Sequence, residues 1–313
     1  MKRLFRAGFA FFALVAVLVL APAAFAQDTT FGLSDSDFAL WSGANATSAA
    51  FSTLTLDFTA DLSVAGIEGA NVAANLVGSA AIDTAGAFSL LVTGDINDGT
   101  QTQAVNFEVR LVDDMIYVNL GDGSGWQGGK AEEAMSGFSS AFAAGSGLPV
   151  DPAALASGDL SGLMGNEDVM NAMAGLASLN PSSFIAITRS DADGLAQFNI
   201  NLSIADLLQQ PAVGGLLGSQ MGGGTEMTEA EMQQMGAMLG MMFGGAVLSF
   251  DQYVDTSTSL VERGVVTINL PLDAMGMGEG AGINLVFDID LTSYNQPVTV
   301  EAPAEFTPIP SGS

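Results

Sequence analysis

The stretch FSTLTLDFTADLSV, Phe51 to Val64, decides the fold. Leu54, Leu56, Phe58, Ala60, Leu62 and Val64 alternate with Thr53, Thr55, Asp57, Thr59, Asp61 and Ser63. A period of two puts every apolar group on one face of a pleated strand. That face has to lie against other apolar matter. The same alternation returns near the far end of the chain, where Ile283, Leu285, Phe287, Ile289 and Leu291 interleave with Asn284, Asp288, Asp290 and Thr292. A twisted antiparallel sheet with one apolar face, covered by loosely packing helices, can enclose a hydrophobic ligand.

Working outward from Val64, strands follow one another at hairpin spacing. Asn71 to Ile82 and Ala87 to Thr93 flank Asp83-Thr84-Ala85-Gly86, and Asn97-Asp98-Gly99-Thr100 leads into Gln103 to Leu111. Asp-Gly pairs are strong tight-turn signals. Asp113-Asp114 then turns the chain into Met115 to Leu120. Before the first strand, Phe38, Leu40 and Trp41 fit a short helical start. Further on, Phe184 to Thr188 and Gln197 to Ser203 form a hairpin, and three long strands close the chain at Ala246 to Asp255, Leu260 to Leu272 and Gly282 to Thr292.

Two stretches break the period of two. From Lys130 to about Asn180, Met135, Phe138 and Phe142 fall at helical spacing, and Asn166 can cap a segment bearing Met170 and Met173. The second runs from Ser203 to about Phe243 and contains a capping box at Thr228-Glu229-Ala230-Glu231. The order is meander, helices, hairpin, helices, meander, which is not the one-for-one alternation of an α/β fold. It predicts an α+β fold: one curved antiparallel sheet, a half-barrel, with helical insertions covering its apolar concave face. Residues 27–303 are expected to form a single domain, with 304–313 as a flexible C-terminal tail.

Residues 1–26 read as an export signal. Lys2, Arg3 and Arg6 precede an apolar run from Phe9 to Leu20, and Ala24-Phe25-Ala26 is a small-x-small cleavage site. The run is shorter than the roughly 20 apolar residues a spanning helix needs. The expected location is therefore extracytoplasmic, periplasmic or secreted. Cleavage removes three of the seven basic residues and none of the 34 acidic ones, leaving four against 34, a formal charge of −30 in place of −27. Such a field repels phosphates, so nucleic acid is not an expected partner. There is no cysteine, hence neither a disulfide framework nor a site for lipid anchoring.

The chemistry-bearing residues are sparse. Without histidine or cysteine the commonest general base and the best nucleophile are missing, and no enzymatic activity is expected. Asp57, Asp61, Asp288 and Asp290 fall on polar strand faces, where a solvated surface is the simpler reading than a glycosidase pair. Gly128-Gly129-Lys130 lacks the remaining phosphate-loop residues, and the Asp-rich turns lack the calcium-loop spacing. Neither a cofactor nor a metal is expected. Met232, Met235, Met238 and Met241 recur every three residues, with Met242 beside them. Thioethers can hold Cu(I), but the spacing equally suits a buried helix face, and methionine adapts to varied shapes.

Two patterns carry a family resemblance. They are Asp114-Met115-Ile116-Tyr117-Val118 leading to Gly125-Trp126, and Ser293-Tyr294-Asn295-Gln296-Pro297-Val298-Thr299-Val300-Glu301-Ala302-Pro303. In these the chain resembles the LppX/LprG family of lipid-carrying lipoproteins and, more distantly, the LolA/LolB carriers. The resemblance implies a half-barrel wrapped around helices, with room for acyl chains between the layers. The acylated cysteine of that family is absent here. The expected function is a non-catalytic carrier of lipids or other hydrophobic molecules, with a transient membrane or envelope-protein partner. Its expected cavity is lined by Leu56, Phe58, Leu90, Phe107, Phe250, Ile268 and Phe287 from strands, and by Phe138, Met170, Met173, Met235, Met238 and Met242 from helices. The alternative is a structural or interaction protein of the cell envelope whose core is simply filled.

Overall fold

The structure, a computed structural model, describes residues 30–67, 70–131, 181–208, 240, 244–273 and 278–309. Helix α1 spans Asp35–Ala49. The strands are β1 Leu54–Ile67, β2 Ala70–Ile82, β3 Phe88–Asn97, β4 Thr102–Val112, β5 Met115–Asn119, β6 Trp126–Lys130, β7 Ile185–Ala192, β8 Leu195–Leu202, β9 Val247–Asp255, β10 Leu260–Pro271, β11 Gly282–Tyr294 and β12 Thr307–Pro308, with a short helix α2 at Ile204–Leu208. All twelve strands join one open, curved sheet in the order β12-β6-β5-β4-β3-β2-β1-β11-β10-β9-β8-β7. Every pairing is antiparallel except β12 with β6. The two stretches with the clearest alternation, β1 and β11, pair with each other at the centre of the sheet: Phe58 opposes Ile289, Ala60 opposes Phe287 and Leu62 opposes Leu285. The expected helical excursions near 130–180 and 209–243 lie almost entirely outside the described residues.

Local chemistry sets the turns. Asp113 and Asp114, with φ of 50° and 61°, take the two left-handed positions of a tight hairpin whose twist matches the flanking strands. In the β3–β4 turn, the Asp98 carboxylate accepts hydrogen bonds from Thr100 Oγ1 at 2.6 Å and from the amides of Thr100 and Gln101 at 2.9 Å each. These bonds, that of the Thr100 hydroxyl foremost, lower its pKa from 3.8 to about 2. A folded-state pKa below the unfolded one means the turn is stabilised above pH about 4 and loses that contribution as pH falls through about 2. A carboxyl-carbon NMR titration is expected to place the Asp98 midpoint near 2; a midpoint near 4 would contradict these bonds.

Helix α1 begins where Ser34, in an extended conformation, accepts the Asp37 amide at 3.2 Å, and Asp35 and Asp37 sit in its positive first turn. The helix lies on the inner face of the sheet over β7–β10. Trp41 and Ala44 bury themselves there with Phe31, Leu33, Ile187, Ala196, Phe198, Val254 and Val261. Ala44 is fully buried, so any larger side chain at that position would lift the helix off the sheet. Arg189, on the inner face of the edge strand β7, is neutralised by Asp37 at 2.6 Å and Asp191 at 3.0 Å.

Trp126–Lys130, whose Gly128-Gly129-Lys130 reads in the sequence as a broken phosphate-loop pattern, is a strand. Residues 304–309, within the segment expected as a flexible tail, continue a strap along one end of the sheet. Asn295, at φ 53°, donates its amide to Thr53 O at 3.0 Å and accepts the Ser52 amide at 2.9 Å, while Thr53 Oγ1 donates to Gln296 O at 2.7 Å. Arg110 then donates to Glu301 O at 3.0 Å and stacks on the Trp126 ring. Phe306 packs edge-on against Tyr117, and Thr307–Pro308 pairs with β6. The two patterns that carry the family resemblance are thus neighbours in space.

Candidate functional site

Antiparallel register turns the apolar parity of each strand into rows that cross the inner face. Leu56 opposes Ala80, which opposes Leu90, which opposes Val109; in the next row Phe58, Gly78, Val92 and Phe107 follow one another. On the other side of β1, Ala60 opposes Phe287, which opposes Val266, which opposes Phe250. Phe58, Ala80, Leu90, Val92, Val266 and Phe287 are buried in one cluster, with Leu56, Leu76, Phe107, Phe250 and Ile268 packed against it. All seven strand residues expected to line a cavity therefore meet in a single apolar patch that spans β4 to β9. The six expected from helices, Phe138, Met170, Met173, Met235, Met238 and Met242, lie outside the described residues.

Small residues shape this patch. Gly78 sits directly opposite Phe58, and a Cβ added at Gly78 would overlap both the Phe58 ring and the Leu91 carbonyl oxygen. The ring therefore lies flat over bare backbone. On the far side, Phe250 does the same over Gly264, with ring carbon Cε2 2.9 Å from where a Cβ would be. The Phe58 and Phe287 rings meet at 5.3 Å between centroids, within the range of favourable tilted aromatic pairs. Alternation alone marks Val92 and Val266; nothing in the sequence marks the two glycines, because their role is to leave space for a ring on a neighbouring strand.

Charge stays off this patch. Its members are all apolar, and the carboxylates Asp57, Asp288 and Asp290 belong to the opposite parity. On that outer face Asp57 and Asp290 are direct cross-strand partners, an unfavourable like-charge pair. Arg263, opposite Asp290 on β10, offsets it: its Nε donates to Asp288 Oδ1 at 2.8 Å and lies 3.9 Å from Asp290. The Asp288 hydrogen bond, ahead of the charge of its neighbours, raises the pKa of Arg263. Burial, and next the charge of Asp251, pushes the Tyr253 hydroxyl up. Among the described residues the carboxylates form no group of three arranged to hold a metal. A shallow depression of the outer face, bordered by Asp57, Thr59, Ser79, Thr93, Asp288 and Asp290, opens to solvent between Val77 and Leu91.

Besides Arg189, a second polar residue breaks the inner parity. Gln252 stands between Phe250 and Val254 on β9, opposite Phe198 on β8 and Gly264 on β10, and is 3% exposed. Its Nε2 donates to Asn45 Oδ1 of α1 at 2.8 Å.

No family model and no curated protein matches the sequence. Among solved structures, the chain is similar to LprF from Mycobacterium bovis, with 14% identity, a TM-score of 0.32, and coverage of 85% of this chain and 96% of that one. It is also similar to a β-barrel-like protein of domain of unknown function DUF1849 from Brucella abortus, with 10% identity, a TM-score of 0.20, and coverage of 78% of this chain and all of that one. Both likenesses are distant.

Proposed function

We propose that this protein is an exported, non-catalytic carrier that holds a lipid or another hydrophobic molecule against the inner face of its half-barrel. One observation carries the reading: seven strands contribute to one apolar patch, free of charge among the described residues, in which two phenylalanine rings lie over glycine backbone. A wall of that kind is smooth, and apolar ligand sites are built from such surfaces with few polar groups. A transient membrane or envelope-protein partner would load and unload it. The strongly acidic outer face suits a protein that stays soluble between encounters and does not adhere to anionic surfaces.

The second reading, a structural envelope protein with a filled interior, draws on a specific fact: Val266, Phe287 and Phe58 are each nearly inaccessible. Native mass spectrometry of protein purified from its own host separates the two. A co-purifying lipid, matched by organic extraction and thin-layer analysis, is the expected result. Protein that emerges at its bare chain mass, and that also fails to take up an apolar fluorescent dye, would favour the filled core.

A further inference from the structure

We propose that Gln252 is the polar end-stop of the ligand site, and that the ligand is an uncharged amphiphile whose head offers a hydroxyl or amide donor. The proposal rests on the carrier reading and narrows it to a class of molecule.

The side-chain amide of Gln252 is buried on the inner face, and only half of it is satisfied. Nε2 donates to Asn45; Oε1 has no hydrogen-bond partner. Trp41 Nε1 and Ser48 Oγ, both on α1, are likewise buried without partners. Nearly all buried polar atoms in folded proteins are paired, so three orphans at one helix–sheet contact call for an explanation. Their position supplies one. Gln252 lies where the α1 core ends and the apolar patch begins: Val254, two residues along, belongs to the first, and Phe250, two residues back, packs against the second. On β10 the residue opposite is Gly264, over which the Phe250 ring lies, so Gln252 borders the patch at that ring. An apolar chain laid along Phe250 and Phe287 would bring its last atom to this amide.

The chemistry of the head follows from the atoms on offer. Oε1 is a pure acceptor, so it needs an O–H or N–H. The indole N–H of Trp41 is a pure donor, and a hydroxyl or amide can answer either kind of group. A carboxylate answers Oε1 poorly, having no proton to give, and no cation compensates it: Arg189 is already held by Asp37 and Asp191. A phosphate or a fully ionised head fails for the same reason. Alcohols, monoacylglycerols and long-chain amides remain.

The test compares hexadecan-1-ol with its methyl ether, which keeps the oxygen and the chain but loses the donor, each displacing an apolar fluorescent dye from the mature protein. The alcohol is expected to displace the dye at about tenfold lower concentration than the ether, the scale of one buried hydrogen bond. Gln252→Met, which keeps side-chain length and removes both polar atoms, is expected to bring the two ligands within about twofold of each other by weakening the alcohol alone. Asn45, partly exposed, can turn to water in that variant. Equal displacement by alcohol and ether in the wild type would overturn the anchor and leave the carrier standing; an ordinary structural water on Oε1 gives that result. A preference that survives Gln252→Met would overturn it too. Failure of the dye, the alcohol and the ether alike to bind would instead remove the carrier reading itself. The wild-type comparison decides even where the variant does not fold.

Discussion

A carboxylate at position 287 is expected to abolish uptake of an apolar fluorescent dye, so that Phe287→Asp binds below detection while the wild type saturates. Phe287 stands in the central pair of strands, opposite Ala60 on one side and Val266 on the other, with its ring against Phe58. Every neighbour in that cluster is apolar. Among the described residues a carboxylate there meets neither a cation nor a hydrogen-bond donor, and the cost of burying it unpaired is several kcal/mol. Loss of binding therefore has to be separated from loss of folding. Phe287→Ala does this. In a tightly packed core it costs about 3–5 kcal/mol; where space for a ligand already adjoins the ring, the loss is smaller, because the wild type lacks some of those contacts. Urea unfolding of Phe287→Ala is expected to show a loss below about 3 kcal/mol in a protein whose lipid is extracted. A full packing penalty together with no uptake of the apolar dye by the wild type would sink the carrier.

The second large effect belongs to a residue with no side chain. Gly78→Val is expected to destabilise the fold by about 3 kcal/mol, at the upper end of overpacking penalties. The new atoms would meet the Phe58 ring and the Leu91 carbonyl oxygen together. The ring can be trimmed; the carbonyl belongs to the β3 backbone and cannot. Adding Phe58→Leu should therefore recover only part of the loss, and the double-mutant cycle should show coupling between 58 and 78 with a residue of uncoupled cost. An unchanged urea midpoint for Gly78→Val would show that β1, β2 and β3 do not approach as closely as described.

Much of this arrangement is legible from the chain itself. Alternation locates every long strand to within a few residues, and it assigns Leu56, Phe58, Leu90, Phe107, Phe250, Ile268 and Phe287 to one face without any knowledge of register. What it misses has physical causes. Gln127-Gly128-Gly129 carries little side-chain pattern, so β6 is silent; it is a strand because β5 and the strap supply its partners. Two residues, one of them Pro308, are too short a segment to read as β12. Gly78 and Gly264 are informative only once the strand opposite is known. Gln252 was visible in principle: in Leu248, Phe250, Gln252 and Val254 it is the one polar member of an apolar parity. Arg189 interrupts Ile185 and Ile187 in the same way, and its explanation, Asp37 on α1, comes from 152 positions away.

The pairing of β1 with β11 also fixes when this protein can fold. The central seam of the sheet joins segments near opposite ends of the chain; at its rim Ser52 and Asn295 meet across 243 positions. Contacts that distant must wait for loop closure, which places folding in the slow range of milliseconds to seconds or beyond. Until the seam closes, the β1–β6 meander and the β7–β11 meander each present a raw central edge rather than a protected outer one, and each invites pairing with another chain. A nascent chain carries its whole N-terminal meander unpaired along β1 until the last long strand emerges. Dilution, or a partner that shields β1, therefore matters most in the interval before the C-terminal strands are complete.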